Sequence, residues 1–116
     1  GEGIHTGKWK VYSPEKHRYV DYNYKEVMKP FESIDIIDGF LMVTQYDIPW
    51  REDVFNGFHL YDASQCMEFA KQGYIVGIPR QETHWAAHYL DHPINKAEWK
   101  RYQGIYTAHY HAGLSV

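Results

Sequence analysis

Cysteine is nearly absent: Cys66 is the only one in 116 residues. One thiol excludes an internal disulfide and any zinc cage built from cysteines. It fits a reducing compartment, so a cytoplasmic location is expected. Positive charge is also scarce, with 12 Lys and Arg against 15 Asp and Glu, a net charge of −3, and no Lys/Arg run longer than two. That balance argues against a nucleic-acid platform or a polybasic membrane patch. No apolar run approaches the roughly 20 residues of a membrane span, and no signal-peptide pattern is present. Neither common Gly-rich phosphate loop occurs, nor a GxSxG nucleophile elbow. Cys66, in the middle of a predicted helix, reads as a packing residue rather than a nucleophile.

Aromatic residues, in contrast, are abundant. They make up 17% of the chain, with eleven tyrosines and four tryptophans, while the hydrophobic share of 44% is ordinary. Tyr and Trp suit apolar walls that also need hydrogen-bonding tips, as in carbohydrate or nucleotide clefts. The same rings equally fill a small core. The length is that of one domain, and such a chain buries roughly two-thirds of its unfolded surface.

Residues 4–12 alternate weakly and predict a strand, whereas 13–29 are polar, Tyr-rich and aperiodic and read as loop. Ile34–Gln45 is nearly continuous in apolar residues, as in a strand covered on both faces. Gly39 inside it suggests a bulge or a close backbone approach. Tyr46–Leu60 reads as a loop holding Pro49, Gly57 and most of the acids. A helix is predicted from Asp62, whose spacing to Gln65 matches a capping box, to Gly73 as its C-terminal cap. Tyr74–Pro79 predicts a short central strand, and helix followed closely by strand implies an α/β unit. The last helix is predicted over Lys96–Tyr110, with Trp99, Tyr102 and Tyr106 on one side.

The acids and histidines carry the candidate chemistry. Asp62 suits a helix cap, and a positioned carboxylate there also suits a general base toward a hydroxyl. Asp47 and Asp53 read as solvated loop charges. Asp38 follows an apolar run, where an unpaired carboxylate is costly. His84, His88 and His92 recur every four residues, a spacing that places metal ligands on one helix face, although Pro93 argues against a long helix there. His109 and His111 read as solvent-exposed.

The pieces also come in a distinctive order: an apolar run into Asp38-Gly39, then D-x-P-W-x-E at Asp47–Glu52, then F-x-G-F-H-x-Y-D at Phe55–Asp62. A helix follows, then G-Y-x-V-x-I-P at Gly73–Pro79 and a histidine. Over residues 34 to 88 this resembles the C-terminal half of a bacterial glycosyltransferase-like family of the family-2 type with a GT-A fold. Residues 1–33 match only loosely, around Gly7-Lys8-Trp9.

The resemblance implies an α/β fold: a partial GT-A-like (nucleotide-diphospho-sugar transferase) mixed sheet with flanking helices. Residues 1–116 would form one domain, the acceptor-side half. The implied activity is transfer of a sugar from a nucleotide-diphosphate sugar to an acceptor hydroxyl. Asp62 would be the catalytic base. Trp50, Glu52, Asp53, Phe58 and Tyr61 would line the acceptor pocket, with Asp38 and Gly39 on the donor side. His88, with His84 second, would complete the coordination of a divalent metal, manganese or magnesium. One departure stands out: such enzymes hold the metal with an Asp-x-Asp pair, and here Asp35 and Asp38 are separated by two residues rather than one. Metal-assisted departure of a diphosphate needs charge on both of its sides, so these residues alone are expected to be inactive. The expected partners are a nucleotide sugar, a glycan acceptor and a second copy of the chain. The alternatives are a non-catalytic carbohydrate- or protein-binding module and a small metal-binding domain built on His84, His88 and His92.

Overall fold

The structure is a computed structural model that describes residues 5–89 and 95–110. His92, Pro93 and His111 lie outside the described residues.

Strand β1 (Lys8–Ser13) pairs antiparallel with β2 (Arg18–Asn23), in a register running from Lys8 opposite Asn23 to Ser13 opposite Arg18. The turn between them is closed by His17 at φ 52° and by the Lys16 N–H donating to Ser13 Oγ at 3.3 Å. A strand at β1 was expected, but β2 falls in the stretch read as loop. Its order comes from across the hairpin. Trp9 faces Tyr22 and Tyr12 faces Tyr19, with ring centroids 6.4 and 5.4 Å apart, and such cross-strand aromatic pairs stabilise a sheet without any local period. The short β5 (Ala87–His88) adds parallel to the other edge of β1, giving the order β2-β1-β5.

A second, separate sheet pairs β3 (Phe31–Ser33) antiparallel with β4 (Gly77–Pro79). The expected strand over Ile34–Gln45 does not form: this segment is irregular, with Leu41 and Val43 exposed. Its backbone is bound elsewhere. The N–H groups of Ile37, Gly39 and Phe40 donate to the side chains of Cys66, Asp62 and Asp38. Side-chain acceptors thus take the place of a neighbouring strand.

Helix α1 (Tyr61–Lys71) and helix α2 (Lys96–Tyr110) form as expected. The start of α1 differs in detail. Leu60 is its N-cap, at φ 63° and without a side-chain bond, so Asp62 lies inside the first turn and makes no capping box. Gln65 is buried instead, its Nε2 donating to Ile48 O at 2.8 Å. At the other end Gly73, at φ 88°, closes the helix with its N–H on Ala70 O at 3.0 Å, a left-handed position that favours glycine. The core lies between the helices and the loop before α1. Phe55, Ala63, Tyr102 and Tyr106 are buried together, flanked by Val54, Leu60, Met67, Ile105 and Tyr110. Trp99, expected beside the two tyrosines, is only half-buried. The architecture is mixed α/β, but α1 leads into a strand that pairs antiparallel, and two small sheets stand where one mixed sheet was expected.

Candidate functional site

Two side chains one turn apart on α1 reach the irregular 37–39 segment. Asp62 Oδ2 accepts the Gly39 N–H at 2.8 Å, and Cys66 Sγ accepts the Ile37 N–H at 3.4 Å. Positions four apart share a helix face, so one face of α1 grips this segment twice. The other oxygen of Asp62, Oδ1, accepts the Ala63 N–H at 2.8 Å. A carboxylate has about four acceptor positions, which leaves capacity for a further donor.

Aromatic rings cluster at Tyr61, the residue before this carboxylate. Tyr61 lies over Gly39, its ring where a side chain on that residue would begin. Trp50 and Phe58 flank Tyr61 at centroid distances of 6.0 and 6.4 Å, and they remain 46% and 68% exposed. Exposed rings beside a polar group suit the stacking of a sugar face. Asp38 is exposed and accepts the Phe40 N–H at 2.8 Å. Burial pushes the Asp62 carboxyl above its ordinary value, with the Asp38 charge adding to the rise and the Gly39 and Ala63 N–H groups opposing it. The Tyr61 hydroxyl is likewise pushed up, by burial first and then by Asp62 and Asp38. A fixed carboxylate with raised proton affinity, beside exposed rings, is chemically equipped to take a proton from a bound hydroxyl.

Asp53, in the loop before α1, has a different job. Asp53 makes a two-pronged pair with Arg51, at 2.9 Å on both oxygens, and these bonds hold its carboxyl below the ordinary value. Arg51 also meets His109 Nε2 at 3.0 Å and lies 3.8 Å from Glu68. Glu68 accepts the Tyr110 hydroxyl at 2.7 Å, and Tyr110 reaches Ser64 Oγ at 2.8 Å. This network ties the loop, α1 and the end of α2 together. His109 therefore has a structural role, where solvent exposure was expected. Glu52 is exposed.

His84 and His88 are the two histidines expected at a metal. His88, on β5, stacks on Phe40 at 5.0 Å, and Phe40 packs edge-on against Trp9 at 6.0 Å. His84 Nδ1 lies 4.0 Å from Asp21, and its Nε2 is enclosed without a partner among the described residues. Nor, among the described residues, do three or more His, Cys, Asp or Glu side chains converge in a way that could hold a metal ion. A groove of about 340 Å³ runs between Ile34–Ile36, Met67 and Tyr74–Val76; Asp62 is not part of it.

A model of a glycosyltransferase-like family matches residues 5–110. The chain belongs to that family. No curated protein and no solved structure matches it. The family match begins at the hairpin and ends with α2, so the glycosyltransferase-like domain takes in the N-terminal residues whose resemblance was loose, as well as the 34–88 block. No helix among its described residues is long and apolar enough to cross a membrane.

Of the site residues read from the sequence, the domain brings Asp38, Gly39, Trp50, Phe58, Tyr61 and Asp62 into one neighbourhood. Asp53 turns toward Arg51 and the end of α2. Reading the sequence missed Arg51, Glu68 and Tyr110 as a unit. The available signal was Arg51 itself, a lone cation directly before two acids, which marks an ion pair more than a solvated loop.

Proposed function

We propose that this glycosyltransferase-like domain forms the acceptor side of a transferase that uses a nucleotide-diphosphate sugar. The acceptor hydroxyl oxygen forms a bond to the anomeric carbon while the bond from that carbon to the diphosphate oxygen breaks. Asp62 takes the hydroxyl proton and the nucleotide diphosphate leaves with the electron pair. A base on the attacking side gives inversion at the anomeric carbon. Trp50, Phe58 and Tyr61 stack the acceptor ring. The carrying observation is the Asp62 carboxylate, fixed by two backbone N–H groups and following Tyr61, whose ring has the exposed Trp50 and Phe58 as neighbours.

The donor belongs in this reading to residues beyond these 116, because the chain has no Asp-x-Asp pair. The same holds for the manganese or magnesium ion, since the described residues do not converge on a cation. The reaction is placed in the cytoplasm, where nucleotide sugars and reduced thiols coexist. The test is Asp62→Asn in a chain that carries the donor-binding part. Transfer should fall about 10²- to 10⁴-fold, the usual contribution of a general base. An unchanged transfer rate sinks the reading.

The exposure of Trp50 and Phe58, together with the missing acidic pair, favours one other reading, a non-catalytic carbohydrate-binding module. It predicts saturable oligosaccharide binding by these residues alone and no nucleotide-dependent turnover in any longer form.

A further inference from the structure

We propose that Gly39 is a positioning residue for Asp62: its amide fixes Oδ2, and only glycine leaves room for the Tyr61 ring at that point. This rests on Asp62 acting as the base. A Cβ on Gly39 would run into the Tyr61 hydroxyl and lie 2.8 Å from Tyr61 Cζ, and both Tyr61 atoms belong to a ring that has Trp50 and Phe58 as neighbours. The φ of Gly39 is outside the left-handed region, so space and not backbone freedom requires glycine here. The segment cannot simply slide to make room. Two residues earlier the Ile37 N–H is held by Cys66 on the same face of α1. Tyr61, Gly39 and Asp62 thus form one unit, in which the ring sets the distance of the backbone and the backbone sets the carboxylate. In the reaction, Oδ1 and Oδ2 keep their orientation toward the acceptor hydroxyl because neither oxygen is free to rotate.

The groups facing Asp62 are Asp38 from the 37–40 turn, Tyr61 and Cys66 from α1, and Tyr106 from α2, whose proton affinity the Asp62 charge helps to raise. Of the contacts at the carboxylate, the Gly39 N–H is the foremost one favouring the charged form. Its loss therefore raises Asp62 further.

Nuclear magnetic resonance titration of this 116-residue chain tests the assignment without turnover. The Gly39 amide shift should follow the midpoint of the Asp62 carboxyl carbon, while the Phe40 amide follows Asp38. A Gly39 amide indifferent to Asp62 overturns the proposal. In Gly39→Ala the Asp62 midpoint should move upward, and adding Tyr61→Leu should return it. A folded Gly39→Ala chain with the midpoint unmoved also overturns it, and if that variant does not fold the wild-type titration decides alone. In the longer enzyme Gly39→Ala should lower kcat about 10- to 100-fold, as misplacement of a reacting group does, with the acid limb of its pH profile moved up. Should Asp62→Asn leave transfer intact, the proposed function fails while the coupling of Gly39 to Asp62 is still read in the titration.

Discussion

Tyr106 is 1% exposed and Tyr110 half-buried, and burial pushes both hydroxyls up to about 12 from an ordinary 10.0. In Tyr106 the nearby Cys66 adds to this, and in Tyr110 the bond to Glu68 does. A raised value in the folded state means that the folded chain binds more protons than the unfolded chain between about pH 10 and 12. The stability they contribute is complete below pH 10 and is lost as pH rises through 12. Each pKa unit corresponds to about 1.4 kcal/mol, so Tyr106 alone accounts for roughly 2–3 kcal/mol over the window. Urea unfolding at pH 8, 10 and 11 should show this fall, and Tyr106→Phe should flatten it. A stability flat across that range in the wild-type chain contradicts the assignment. Tyr102 and Tyr106 were legible as one side of α2 from their four-residue spacing, but their burial depends on Phe55 and Ala63, which no local period connects to them.

Helix α2 is held by polar contacts as well as by its buried rings. Glu68 is 13% exposed at its side chain and receives Tyr110 at 2.7 Å, Lys71 at 3.5 Å and Arg51 at 3.8 Å. Exposed ion pairs contribute little, about 0–1 kcal/mol, and the Arg51–Asp53 pair is of that kind. Glu68 differs because its replacement removes the charged acceptor of the Tyr110 hydroxyl in a partly buried place and leaves it only the Ser64 oxygens. Glu68→Ala should lower unfolding stability by roughly 1–3 kcal/mol. A double-mutant cycle with Tyr110→Phe should show coupling of about 0.5 kcal/mol or more; additive effects would mean that the bond is incidental. Both helices were legible because α1 and α2 have recognisable ends and long enough patterns. The strand expected over Ile34–Gln45 was not real, because an apolar run shows neither that its side chains are buried nor which partner takes its backbone groups. Here Asp62 and Cys66 supplied the acceptors from a helix 23 and 29 residues away.

At the scale of the molecule, the β3–β4 pair has no third strand among the described residues, and Met28, Val43 and Ile75 near it and in the 34–45 segment are 72%, 83% and 74% exposed. Isolated two-stranded sheets are marginal, and exposed apolar side chains beside open edges favour association. The isolated 116-residue chain should therefore self-associate, with a concentration-dependent sedimentation coefficient; a single monomeric species at high concentration would falsify this. Composition, the order of short motifs and the two helix patterns determined the broad class and the family resemblance, because these depend on residue identity and near-neighbour spacing. Only the tertiary structure decided that Gly39 holds Asp62, that Asp53 serves Arg51, that β2 pairs with β1, and that His88 stacks on Phe40. Each of those depends on contacts across many residues of chain, where side-chain reach and available space, and not spacing along the sequence, select the partner.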